Sequence, residues 1–460
     1  MVFENIISGK RNLFWVLFHA LLGLISTITP FALIAWFYFI LLSNLNNAIF
    51  QLRKGKLLIY IALVAYLISF EMLGRMTKAY PFVPMELSKY LLPIASIVGV
   101  MNNNKRSNNV WLILGLFISI GLLFDYSGER KFTDIVNNYF GILAIFLGLF
   151  FLSKQNLSRE SIIYLLKVIL LAIIPALIYC FIKTPDFDDI SFTLNANFET
   201  SAGAATNQVS TVFGLGLFIS FYFWYKRVVF SGYRIIDILI GIAFLVQGLL
   251  TFSRGGMFVA IICILILILK NTNNFNFRNI LLSVVGMVSV FIVFNLIDDI
   301  TDGKLLLRYQ GETEGTYNYG AEKTLKKMTS GRSLIFEEDL NLWAKYPIFG
   351  CGVGASRLMR GGMDGAKVSS HVELSRLLAE HGVVGMVFFM YLINLGIKLW
   401  GNIKIDSWRL ILFLIYLIAI LTSFHSAMRT FVSPLLIALS SIGMYKVGKN
   451  GNTSIIYRSN

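Results

Sequence analysis

The chain reads as a train of long apolar runs separated by short polar breaks, with one long polar interruption late in its length. Fourteen runs stand out, at 13–28, 30–48, 57–73, 87–101, 110–124, 138–153, 161–182, 208–225, 235–251, 256–269, 280–297, 383–400, 410–426 and 430–446. Each approaches the ~20 residues that a straight helix needs to cross a bilayer. The first two runs touch at Thr29-Pro30. A proline there, with Lys10 and Arg11 before the runs and Arg53, Lys54 and Lys56 after them, predicts a hairpin of two spans and not one long helix. No small-residue cleavage site follows Lys10 and Arg11, so no cleavable leader is expected. The pattern predicts an all-α polytopic membrane protein of about 14 transmembrane helices. Spans 1–11 fall in 1–297, a large outer loop in 298–382, and spans 12–14 with a cytoplasmic tail in 383–460.

Composition narrows the class. Of 460 residues, 56% are hydrophobic and 14% charged, against about 25% charged in a typical soluble protein. A soluble fold cannot hide that much apolar surface. Aromatic residues at 14% exclude bulk disorder. Three cysteines, Cys180, Cys263 and Cys351, the first two inside apolar runs, exclude a disulfide scaffold. The net charge of +15 would suggest nucleic acid in a soluble protein, but here the cations sit in short loops between apolar runs. With the N-terminus in the cytoplasm, 20 of the 40 Lys and Arg lie on the cytoplasmic side, opposed only by Glu4, Glu160, Asp237 and Asp406. That asymmetry is the positive-inside pattern; it puts both termini in the cytoplasm and excludes a nucleic-acid partner.

The outer side then carries loops near 74–86, 125–137 and 183–207 and the long loop 298–382, whose length marks it as functional. Within it, Ser330-Gly331-Arg332 precedes a predicted amphipathic helix, Ser333–Tyr346, with Phe336, Leu340 and Trp343 on its apolar face and Pro347 as its stop. Gly350-Cys351-Gly352-Val353-Gly354 mimics a dinucleotide loop, but no strand precedes it and no acidic residue follows at the right distance, so a tight turn with close backbone packing is expected. A second helix is predicted from His371 to Glu380, with Gly382 as its C-cap. Asn102–Asn109 reads as a plain polar turn, and no internal repeat is visible.

Several residues are candidates for chemistry. Arg254, in Thr251-Phe252-Ser253-Arg254-Gly255-Gly256, sits in a very short outer turn between two apolar helices, where a cation needs an anionic partner. It is either a snorkelling or carbonyl-capping arginine, or a ligand for phosphate, which a guanidinium grips in a bidentate fork. Arg332, at a helix start, is either a solvated surface residue or part of an anion site. His371 is either a helix-start residue or a general base. His425 and Arg429 flank the last outer turn and are candidates to line the same cavity, while His19 and His381 are weaker. Asp186-Phe187-Asp188-Asp189 has the carboxylate spacing of a metal motif, and Asp298, Asp299 and Asp302 form another cluster, but acidic residues are ordinary in outer loops and no metal is expected. Tyr309, Tyr317 and Tyr319 are either sugar-stacking or packing residues. Intramembrane charges are few, chiefly Glu71 and Lys167.

The ordered set Thr251–Gly256, Ser330-Gly331-Arg332, Tyr346–Gly354, Ser370-His371 and Ala379-Glu380-His381-Gly382-Val383-Val384-Gly385 resembles the O-antigen ligase and O-antigen polymerase superfamily over about 235–395. The resemblance implies a GT-C-like glycosyltransferase architecture in the bacterial inner membrane, acting on undecaprenyl-diphosphate-linked glycans as donor and acceptor, without metal, nucleotide or other cofactor. It implies that Arg254 and Arg332 hold the diphosphate and that His371 activates the acceptor hydroxyl. Membrane lipids, a chain-length regulator and a flippase are the further candidate partners. The chain departs from the family at Val372, where many members resemble His-Asn. Polymerase is expected before ligase, and a lipid-linked glycan flippase is the alternative of another class. A flippase wants charge along a central cavity, whereas here the unusual residues gather at one face.

Overall fold

The computed structural model describes residues 6, 12–103, 107–270, 277–320, 322, 331–360, 372–403, 407–426, 428–447 and 453–454. The apolar runs become helices because their backbone groups have no other partner in a lipid environment. In chain order these are α1 Asn12–Ser26, α2 Phe31–Arg53, α3 Leu57–Ser69 with its continuation α4 Glu71–Met76, α5 Leu87–Asn102, α6 Asn109–Ser119, α7 Phe132–Leu152, α8 Arg159–Lys183, α9 Thr206–Lys226, α10 Arg234–Leu250, α11 Arg254–Lys270 and α12 Phe277–Ile300. Pro30 caps α2, so the first two runs form separate helices. Then come α13 Lys304–Tyr309, α14 Glu314–Asn318, α15 Arg332–Lys345, α16 Ser356–Met359, α17 Glu373–Ile403, α18 Leu410–Ser426 and α19 Val432–Ser440. Six helices among the described residues are long and apolar enough to cross a membrane: Phe31–Arg53, Leu57–Met76, Phe132–Leu152, Arg159–Lys183, Thr206–Lys226 and Glu373–Ile403. Shorter apolar helices stand beside them, and side chains such as Phe39, Leu42, Phe291 and Ile397 project apolar surface outward.

The expected last span, 430–446, is not one helix. Its helix, α19, ends at Ser440, and the chain continues as a strand, β2 Gly443–Val447. Nine residues of helix reach only about 14 Å, half a bilayer core. The reason is local. Ser440 and Ser441 hydroxyls donate to the carbonyls of Ile437 and Ala438, and Gly443 N–H donates to Gln155 O at 2.8 Å. That leads the chain onto a waiting edge, β1 Asn156–Ser158, which β2 joins in parallel with Leu157 beside Met444; β3 Thr453–Ser454 pairs antiparallel on the other side.

Helix α9 packs between α10 and α11, α8 against α1 and α3, α7 between α5 and α6, and α15 against α17. The two ends of the bundle differ. One carries the small sheet and the Asn103 to Gln155 side-chain bond of 3.0 Å. At the other, the loops of the sequence expectation interlock: Tyr126 N–H donates to Cys351 O at 3.2 Å, Leu194 N–H to Glu314 Oε1 at 2.6 Å, and Asn197 N–H to Thr251 O at 3.0 Å. The glycine-rich turn lies here, with φ of +73° at Gly350, +99° at Gly352 and +77° at Gly354, as the expectation of a tight turn requires. Gly382 (φ +60°) breaks α17 just past the expected helix end.

The loop helix α15 corrects the expected packing face. Its buried residues are Ile335, Asp339 and Leu342, while Phe336 is 37% exposed. The buried stripe is shifted one residue, about 100°, from Phe336, Leu340 and Trp343. Asp339 sets this rotation. Its carboxylate pairs with Arg360 at 2.7 Å and accepts from Ser375 Oγ at 2.7 Å, which makes a charged residue the centre of the inward face. Hydrophobic periodicity does not see such a stripe.

The turn gives a controlled test. An alanine Cβ at Gly352 would lie 2.1 Å from Phe124 O, whereas one at Gly128 (φ +67°) meets nothing within 4 Å. Gly128→Ala is expected to lose only the ~1–2 kcal/mol of a left-handed backbone. Gly352→Ala is expected to unfold the turn, lowering the melting temperature in detergent by several times as much. Equal melting shifts would refute the close packing.

Candidate functional site

The site is built where α10 gives way to α11. After Leu250 the chain turns through Phe252, which is buried at φ +55° and stacked on Phe192 at 5.6 Å. Ser253 N–H donates to Thr251 Oγ1 at 3.2 Å, and α11 begins at Arg254. Arg254 is thus the first residue of a helix and not a loop residue. Ser253 Oγ bonds Asn207 Oδ1 at 2.8 Å and His425 Nε2 at 3.0 Å, tying this turn to the starts of α9 and the end of α18. Gly255 is required by that packing: a Cβ there would lie 2.2 Å from the His425 ring.

Arg254 donates to the carbonyl of Arg308 at 2.9 Å, where α13 ends, so it does act as a carbonyl cap. The same contact brings a second guanidinium to the turn. Arg308 is 8% exposed, and its Nε lies 3.5 Å from Phe252 O. Arg332, the first residue of α15 after Gly331 (φ +81°), is the third. The three act on one another electrostatically. Burial first, and then the charges of Arg254 and Arg332, push Arg308 down to about 10. Burial and Arg254 also lower Arg332. Among the described residues no carboxylate forms an ion pair with Arg308 or Arg332. Guanidiniums gathered out of water, two of them with no described carboxylate paired to them, form a site suited to an anion.

The structure places Arg254, Arg332 and Arg308 within electrostatic reach of one another; the first two are candidates of the sequence, and Arg308 is an addition. No motif marks Arg308; the available signal was a lone arginine after Leu305-Leu306-Leu307 in an otherwise polar loop. His371 lies outside the described residues. Just after it, Glu373 pairs with Arg376 and accepts from Met428 N–H at 3.2 Å, so α17 starts against the last turn of the bundle. His425 is not among the residues lining the basin that Arg429 lines. His425 is buried behind the Arg254 turn, while Arg429 lines a separate basin with Arg75 and Gln208.

The remaining candidates separate cleanly. Tyr309 is a packing residue, set edge-on to Phe258 at 5.1 Å and Phe294 at 5.4 Å, whereas Tyr317 and Tyr319 are exposed. Asp186, Asp188 and Asp189 are exposed, Asp298 accepts from Leu306 N–H at 2.8 Å, and Asp302 pairs with Lys304. Among the described residues no three His, Cys, Asp or Glu side chains gather as a metal set. His19 bonds Trp15 O and Tyr66 Oη, and His381 bonds Ile118 O; both are interior fasteners. Lys167 donates to Val229 O at 2.8 Å. Glu71 is no isolated intramembrane charge: it pairs with Arg75 at 2.9 Å and accepts from the Ser88 and Phe431 amides at 2.8 and 3.0 Å. The three cysteines are free and buried.

Residues 238–390 match the family model described as O-Antigen ligase. No curated protein and no solved structure matches the chain. The matched stretch contains the three clustered arginines and His371, and it stops short of His425 and Arg429. Over residues 238–390, a third of its length, this multi-pass membrane protein is similar to the O-antigen ligase family, whose members are membrane enzymes of the glycosyltransferase kind acting on lipid-linked glycans.

Proposed function

We propose that the protein is a polysaccharide polymerase. It joins undecaprenyl-diphosphate-linked oligosaccharide repeats into O-antigen, capsule or exopolysaccharide at the outer face of the bacterial inner membrane, through a bundle of about 14 spans with GT-C-like architecture and both termini in the cytoplasm. The observation that carries the reading is the Arg254, Arg308 and Arg332 cluster within the family-matched stretch. A lipid-linked donor lies with its chain in the bilayer and its diphosphate at the interface. The acceptor hydroxyl oxygen attacks the anomeric carbon, the bond from that carbon to the diphosphate oxygen breaks, and its electron pair stays on the departing diphosphate. The guanidiniums face the charge that develops there. Such fixed donors stabilise a transition state by about 3–4 kcal/mol each, because they need no reorganisation as the charge appears. His371 takes the hydroxyl proton, which supplies roughly 10²–10⁴ in rate. A ligase would use the same chemistry with lipid A–core as acceptor; the departure at Val372 places polymerase first.

Purified protein is expected to lengthen a lipid-linked repeat in detergent with no energy source and with EDTA present. Loss of turnover on chelation, restored by Mg²⁺ or Mn²⁺, would return the reaction to the Asp186 and Asp188 carboxylates. A protein that moves repeats between leaflets without lengthening them would be the flippase.

Variants separate the roles. Arg308→Ala is expected to reduce turnover about 10²–10³-fold, as loss of one charge-stabilising donor does. Arg254→Lys is expected to be severely impaired although it keeps the charge, since an ammonium cannot form the bidentate fork. His371→Ala is expected to abolish turnover yet leave donor binding intact, because a base acts in the transition state. Wild-type chain lengths from well-expressed His371→Ala protein would remove that residue from the mechanism.

Orientation is checked by thiol labelling, which the three buried native cysteines do not obscure. Tyr319→Cys, at a position 83% exposed, is expected to react with an impermeant reagent from outside, and Lys54→Cys only after permeabilisation. The reverse pattern would place donor and site on opposite faces.

A further inference from the structure

A second cationic basin opens at the same end of the bundle as the arginine cluster. It has a volume of about 610 Å³. Its lining includes Arg75, Lys78, Arg357 and Arg429 against two carboxylates, Glu86 and Asp134. Those carboxylates are occupied: Glu86 pairs with Lys89 at 2.6 Å and Asp134 with Arg357 at 2.9 Å. Arg75 is held by Glu71 at 2.9 Å. The lining as a whole keeps an excess of two positive charges, and the space is large enough for a phosphate-bearing headgroup.

The basin shares a wall with the arginine cluster. At the start of α9, Asn207 accepts from Ser253, the residue before Arg254, while its neighbour Gln208 accepts from Arg75 and lines the basin. On the other flank, His425 packs on the Arg254 turn, and Arg75 donates to the carbonyl of Arg429 four residues on. Two cationic sites therefore lie back to back across one helix start and one turn. The chemistry of chain extension asks for such a pair. Both substrates carry a polyprenyl diphosphate, but only the donor's diphosphate gains charge in the reaction. The donor site needs the concentrated positive field of three guanidiniums; the acceptor's unchanged diphosphate needs only a seat whose charge it balances.

Resting on the polymerase reading above, we propose that the basin lined by Arg75, Lys78, Arg357 and Arg429 binds the diphosphate of the acceptor, a second lipid-linked glycan, while the Arg254, Arg308 and Arg332 cluster binds the donor's. The acceptor is then held by its lipid end, and its sugar reaches across the shared wall toward the donor's anomeric carbon. A ligase, whose acceptor carries no polyprenyl diphosphate, has no use for this second seat.

The test counts undecaprenyl diphosphate molecules bound to the full-length protein by native mass spectrometry. Wild-type protein is expected to hold two. The Lys78→Asn/Arg429→Gln double variant is expected to hold one, and Arg332→Ala also one. In chain-extension kinetics the double variant should raise the acceptor KM about tenfold and leave donor affinity unchanged, the size of effect expected when charged contacts to an anion are lost. Lys78→Asn alone, at an exposed residue with φ +54° that asparagine tolerates, should shift the same KM and keeps the test open if the double variant misfolds. A wild-type protein that lengthens chains while binding one lipid, or a double variant that still binds two, overturns the basin's role and leaves the polymerase reading standing. A wild-type protein that binds two lipids and never lengthens chains refutes the polymerase reading itself. Displacement of the second lipid by an equal concentration of inorganic diphosphate would make the basin a site for a soluble anion and overturn the acceptor assignment.

Discussion

Everything at the functional end of this bundle depends on one constraint: charge held away from water must find its counter-charge inside the protein. Where a carboxylate supplies it, the result is architecture. Glu71 receives Arg75 and the amides of Ser88 and Phe431, so one side chain joins three distant parts of the chain. Glu373 does the same for Arg376 and the Met428 amide, and Asp339 for Arg360 and Ser375. Each carboxylate is saturated by donors, which is the condition under which a buried pair holds a fold together instead of straining it. Removing one partner leaves a buried charge without compensation and typically costs about 3–5 kcal/mol. These pairs explain how loops from six regions of the sequence can be fixed at the edge of an apolar bundle that offers them little else to bond.

The arginine cluster follows the opposite rule, and this contrast separates site from scaffold. Arg308 and Arg332 are drawn together with Arg254 with no described carboxylate paired to either, and burial first, then the neighbouring guanidiniums, lowers both. The cost of that arrangement is borne by the surrounding fold: Phe252 turns with φ +55° onto Phe192, Gly255 yields its side-chain space to His425, and Tyr309 wedges between Phe258 and Phe294. The apolar parts fix the backbone so that the guanidiniums cannot drift apart toward solvent. Preorganised positive charge of this kind is what a departing diphosphate requires.

Much of this was legible in the sequence, and the residues show why the rest was not. Hydrophobic runs located the helices because period and length are local properties, and glycines at 350, 352 and 354 announced the tight turn because backbone freedom is local too. Arg254 and Arg332 stood out because each sits at a helix boundary beside glycine. Arg308 did not, since it becomes significant only when α13 ends against Arg254. The same holds for α15, whose inward face is decided by the Arg360 and Ser375 contacts to Asp339 and so looks rotated to any apolar count. The final segment was expected to be helical throughout because its apolar content is real; a strand edge at Asn156–Ser158, nearly 300 residues earlier, takes its end from Gly443 onward.

The back-to-back placement of the two cationic regions bears on how a chain could grow without an energy source. In the proposed polymerase reaction both substrates are tethered to the same leaflet by identical lipids, so nothing in the lipid or the phosphate tells donor from acceptor. The distinction must come from the protein, and the two regions differ in the one respect that matters. In the basin each lining carboxylate already matches a cation, and only a modest excess remains. At the cluster, burial first and then the charges of Arg254 and Arg332 lower Arg308, and no described carboxylate pairs with Arg308 or Arg332. Whichever diphosphate sits in the stronger field is the better leaving group, so under the proposed assignment the asymmetry of charge sets the direction of transfer from cluster to basin.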